Sequence, residues 1–155
     1  MEATGETTAV ERELAIAASP DAVWEFLVDP DKATRWMGQS ASFEPRPGGL
    51  YRVEVIPGNT AAGEFVELDP PRRLVFTWGW EPGGSGKVPV GTSTVEIELL
   101  PTDEGTMLRF THRGLPDEEA AQSHGHGWDH YLERLVIAAG GGDAGPDPWV
   151  TGEMT

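Results

Sequence analysis

Four histidines and six tryptophans are the side chains through which this sequence could do chemistry. His112 follows Leu108 and Phe110 at alternate positions. Alternate residues of a strand share a face, so the His112 imidazole is expected to point into an apolar interior. His124 lies one helical turn before Trp128 in a later amphipathic stretch, and is expected on its buried stripe. Two inward imidazoles on opposite walls can orient a polar ligand group, or serve as general acid and base. The alternative is a pair of core histidines bonded to backbone or to Tyr51. That alternative is preferred, because a cavity histidine without a placed partner is no catalyst. No residue is assigned a catalytic role.

His126 and His130 stand four apart, which is formally metal-ligand spacing on one helix face. They fall on the side opposite Trp128, and the glutamate of an HExxH zinc motif is absent. The stretch His126-Gly127-Trp128-Asp129-His130 is therefore read as a solvated face, flanked by Asp129 and Glu133, with no metal assigned.

The tryptophans point elsewhere. Trp36, Trp78, Trp80 and Trp128 each carry an indole N–H that needs an acceptor when buried. A cavity with polar inclusions supplies acceptors more easily than a dry core does. The candidate ligand-binding set is Trp36, Met37, Tyr51, Phe76 and Trp78, with Trp80, His112, His124, Trp128 and Leu132. Plain core filling is the reading for Val53, Val95, Ile97, Leu108, Phe110 and Leu135. No GxSxG elbow, P-loop or strand-following GxGxxG occurs, and no cofactor is expected. With no cysteine there is neither a thiol nucleophile nor a disulfide.

The elements that must hold these residues can be read from periodicity and turn chemistry. Val10–Ile16 alternates apolar and charged residues, as a half-buried strand does. Ser19-Pro20 reads as the cap and first residue of a helix; Asp29-Pro30 breaks it and opens a second short helix ending near Met37. Strands are expected at Ala41–Glu44, Leu50–Ile56, Ala62–Leu68, Leu74–Trp80, Thr92–Leu100 and Thr106–His112. Short turns between them imply an antiparallel meander, with a longer mobile loop at Pro82–Gly86. Asp117–Ala139 reads as a helix of about 35 Å. Its stripe of Ala121, His124, Trp128, Leu132, Leu135 and Ala139, with Tyr131 at the edge, must cover something. Residues 1–9 are expected to be a flexible N-terminus, 10–139 the single domain, and 140–155 a loosely attached tail.

Composition limits the partners. Twenty-six acidic against 11 basic residues leave a formal charge of −15, which opposes nucleic acid and anionic membrane surfaces. No signal peptide or run of apolar residues long enough to span a bilayer is present, so a cytoplasmic location is expected.

Taken in order, SPDAVWEFLVDPDKATRWMG, RPGGLYR, GEFVELDPPRRLVFTWGW, GTMLRFTHRGL and HGWDHYLERL resemble the START-like (Bet v 1-like, SRPBCC) superfamily. Within it they are most similar to bacterial relatives of the activator of Hsp90 ATPase. The resemblance spans roughly Val10 to Ala139. It implies an α+β helix-grip fold: a curved antiparallel sheet of about seven strands around the long C-terminal helix, with a cavity between them. It implies no single reaction. The expected function is binding of a small hydrophobic or aromatic ligand in that cavity. The alternatives are a cyclase- or hydrolase-type enzyme using the cavity histidines, or an Hsp90-activator-like interaction module. A homodimer is compatible with all three.

Overall fold

The computed structural model describes residues 9–82 and 88–151. Of the flexible start expected at 1–9, residues 1–8 lie outside the described residues, as do most of the Gly-rich loop and residues 152–155.

The chain begins with β1 (Val10–Ile16), then α1 (Pro20–Val28) and the single turn α2 (Pro30–Ala33). Six strands follow: β2 (Ser40–Phe43), β3 (Leu50–Ile56), β4 (Asn59–Asp69), β5 (Arg73–Trp78), β6 (Ser93–Thr102) and β7 (Gly105–Arg113). The long helix α3 (Glu118–Ala139) and a last turn, α4 (Pro148–Thr151), complete the order. The seven strands form one antiparallel sheet ordered β1-β7-β6-β5-β4-β3-β2. Register shifts between Glu54 and Ile56 and between Phe65 and Glu67 add local twist and bend the β3–β5 half.

Local chemistry fixes the helix starts where the sequence put them. Ser19 Oγ accepts from the Ala22 N–H at 3.2 Å, and Pro20 takes the first helical position. Asp29 ends α1 and caps α2 by accepting from the Asp31 N–H at 2.9 Å. Asp117 caps α3 through the Ala120 N–H at 2.8 Å.

Along β6 and β7, alternation sends Val95, Ile97, Leu99, Leu108 and Phe110 inward. The outer face is laced by ion pairs, with Arg73 reaching Glu67, Glu96 and Glu98. Over the inner face lies α3, burying Trp128, Tyr131, Leu132, Leu135 and Ala139. Gly125 lets α3 approach β1, since a Cβ there would stand 3.1 Å from the Arg12 guanidinium that pairs with Asp129.

Three expectations change. The strand predicted through Trp80 stops at Trp78, because the Pro89 carbonyl would stand 1.9 Å from a Cβ at Gly79. Beyond that point Trp80 keeps only isolated bridges, to Ala61 of β4 and to Pro89, and donates its backbone N–H to the Val88 carbonyl at 2.6 Å. The tail predicted to be loose also docks, as far as residue 151. Arg134 donates to the Ala144 and Gly145 carbonyls at 3.2 and 2.8 Å. Asp147 accepts from the Tyr131 hydroxyl at 2.7 Å and from His130 Nε2 at 2.9 Å. Trp149 stacks on His130 with centroids 3.9 Å apart and planes 10° from parallel. His130 is thus covered, where a solvated face was expected, while His126 is exposed as expected.

Candidate functional site

A cavity of about 390 Å³ opens between the β3–β5 end of the sheet and the first half of α3. That is within the usual size of small-molecule sites. Four indoles line it: Trp78 and Trp80 from the sheet side, Trp128 from α3, and Trp149 from the docked tail. Met37 closes one side after α2, and Tyr131 and His124 contribute from the helix.

Two hydrogen-bonded chains hold these rings. The Trp128 N–H donates to His112 Nδ1 at 3.0 Å. Indole is only a donor, so Nδ1 must carry the lone pair and Nε2 the proton. That Nε2–H then donates to Ser93 Oγ at 2.8 Å, and the Ser93 hydroxyl donates to the Trp78 carbonyl at 2.7 Å. One direction of donation satisfies every link. In the second chain the Trp80 N–H donates to His124 Nε2 at 3.0 Å, leaving the proton on Nδ1, which donates to the Ala120 carbonyl at 2.9 Å. The two imidazoles meet edge to face, 5.1 Å apart.

Electrostatics agree with these tautomers. Burial, and then repulsion from a charged His124, push His112 down to about 3. Burial lowers His124 as well, against the opposing pull of its bond to the Ala120 carbonyl. Both rings are neutral at neutral pH, and each lone pair already accepts an indole N–H. General-base work by either would require breaking that bond.

Trp78 differs from its neighbours. Only 2% exposed, it has an N–H that is the one buried side-chain donor or acceptor without a partner among the described residues. Its ring packs edge to face against Trp80 at 5.5 Å and 82°, and against His112 at 5.8 Å and 75°. Such packing sets positive ring edges against π faces and offsets part of the cost of an orphaned donor.

Of the ten residues singled out from sequence, Met37, Trp78, Trp80, His124 and Trp128 stand on the cavity wall. The other five are packed behind it. Trp36 donates to the Phe26 carbonyl at 2.8 Å, a structural bond. Tyr51 and Phe76 stack on each other at 4.0 Å within a cluster that includes Phe43 and Phe65. Leu132 is core, and His112 is wholly buried one layer behind Trp128. Alternation located the inward face correctly but carries no information on depth along it.

Sequence reasoning missed Ile56, Asn59, Val88, Ser123, Gly127 and Trp149 on the wall. Gly127 had a signal: a glycine inside a helix costs stability, so its small size suggests open space beside it. A Cβ at Gly127 would meet nothing within 4 Å.

Together, the bent sheet, the long covering helix and the space between them define a helix-grip protein. The chain belongs to the family described as Activator of Hsp90 ATPase homolog 1-like protein, whose model matches residues 17–140. No curated protein matches the chain. Among solved structures, the AHSA1-like protein of Rhizobium etli is 46% identical, with 91% of this chain and 87% of that one covered and a TM-score of 0.73. DynU16, a putative protein of the dynemicin biosynthetic locus, is 26% identical over 92% of this chain and 51% of its own, with a TM-score of 0.75. The Aha1 dimer of Colwellia psychrerythraea shares the fold, at 19% identity, 86% and 98% coverage and a TM-score of 0.72.

Proposed function

We propose that the protein binds a small, largely apolar or aromatic molecule in the cavity beneath α3. The observation that carries this reading is the wall itself: four indoles around about 390 Å³ of space. An aromatic-lined cleft of this size between a sheet and its covering helix favours a ligand. Covering about 300 Å² of apolar ligand surface contributes several kcal/mol, enough for micromolar affinity after ordering costs. The test is titration with an uncharged solvatochromic aromatic dye. One-to-one binding is expected, weakened about tenfold or more in Trp80→Ala, which removes a half-buried ring from the wall. No binding by the unaltered protein would refute the reading.

A second reading follows from the family description, which names an Hsp90 activator. Docking to a chaperone would use the outer surface and leave the cavity idle. Recovery of a chaperone by the immobilised protein, with unchanged yield from a cavity-filled variant, would support it over ligand binding.

A further inference from the structure

Resting on the binding reading just given, we infer that the cavity selects a cationic aromatic molecule, of the alkyl- or quaternary-ammonium class, over neutral and anionic molecules of the same shape. The argument starts from what the wall can offer a polar group. The Trp80 and Trp128 N–H groups are spent on His124 and His112. The Tyr131 hydroxyl is spent on Asp147. The Trp78 N–H is sealed from contact even by water. Asn59, Ser123 and Trp149 also line the space, so an anion entering it would find neutral donors only.

Nor would it find countercharge. No Lys or Arg lines the cavity among the described residues, and the only carboxylates on the wall are Asp117 and Glu119, both exposed at its mouth. The N-terminus of α3 would otherwise attract an anion, but its first turn already carries its own acids, and Asp117 caps the Ala120 N–H. The approaching ligand also meets a chain of formal charge −15.

What the wall does present is π surface. Trp78 packs in direct contact with Trp128, at 4.9 Å and 52°, and with Trp80, at 5.5 Å and 82°, so the indole surface left open to a ligand is chiefly that of the half-buried Trp80 and Trp149. Indole faces attract a cation through the ring quadrupole, and most strongly when the cation is desolvated. Tying the N–H edges back to histidine acceptors fixes the rings and adds electron density to them. The same bonds that remove donors from the cavity thus prepare it for positive charge.

Three phenols of matched shape test this: 3-hydroxyphenyltrimethylammonium, 3-tert-butylphenol and 3-hydroxybenzenesulfonate. Each is titrated into the full-length protein while the indole N–H resonances are followed by NMR. The ammonium is expected to bind about threefold to thirtyfold tighter than its tert-butyl isostere, with the sulfonate weakest. Trp80→Leu should cost the ammonium compound more affinity than it costs the tert-butyl compound, so that the ratio between them shrinks. Glu119→Gln should remove only the salt-dependent part. Equal or tighter binding of tert-butylphenol, or tightest binding of the sulfonate, overturns the inference while leaving a binding cavity standing. Failure of all three to shift the indoles overturns both.

Discussion

His112 shows how one residue can be essential to a site it does not touch. With no exposed surface, it fixes Trp128 from behind and passes the constraint through Ser93 to the Trp78 backbone. Its depressed basicity has a definite consequence for stability. Above the ordinary value of 6.5 the ring is neutral in both folded and unfolded chains. Below it the unfolded chain takes up a proton that the folded chain refuses until about 3. Stability is therefore complete above 6.5 and is lost as pH falls through that window, at up to about 1.4 kcal/mol per pH unit. In denaturant melts His112→Asn should flatten this slope; an unchanged slope would show that the ring is not held neutral. Ser93→Ala should cost about 1–3 kcal/mol, because it strands the buried His112 N–H. It should also move the Trp128 indole N–H resonance, although Ser93 bonds to His112 and not to Trp128. The need of buried indoles for acceptors was legible in the sequence. Which acceptor each found was not, since partners such as Trp80 and His124 lie 44 positions apart.

Among the elements, those with strong periodicity or capping chemistry were readable, and those defined by tertiary contact were not. Ser19, Asp29 and Asp117 announce their helices locally. Gly79 ends β5 early only because the Pro89 backbone crosses it, which no local pattern records. The docked tail is the larger omission. A four-residue helix has no periodicity to detect, and its anchor is one carboxylate, Asp147, shared by Tyr131, His130 and the Trp149 backbone N–H at 3.0 Å. Asp147→Ala should release residues 143–151 and uncover the Trp149 side of the cavity. Limited proteolysis should then cut the tail while the domain melts as a unit. A tail equally resistant to protease would show that Arg134 and the Trp149 stack suffice without that carboxylate.

At the scale of the molecule, the sheet and α3 pack closely along one side and part along the other. The β1, β6 and β7 side is densely packed against α3 and α1, whereas the β3–β5 end bends away and leaves the cavity. The fold class followed from counting strands and one long helix. The space did not, because a sequence specifies which faces are apolar but not how well two faces fit. No described helix is long and apolar enough to cross a membrane, and no described group of His, Asp and Glu could hold a metal ion.

The binding proposal is tested most directly by filling the space without disturbing the frame. Gly127 lies on the cavity wall within α3 and faces room for a side chain. Gly127→Ala should stabilise the protein by about 0.5–1 kcal/mol, as a better helix former in an unobstructed position. Gly127→Leu should fold at least as stably as the unaltered chain and lose the one-to-one dye complex. Undiminished dye affinity in a folded Gly127→Leu protein would mean that the ligand does not sit beneath α3.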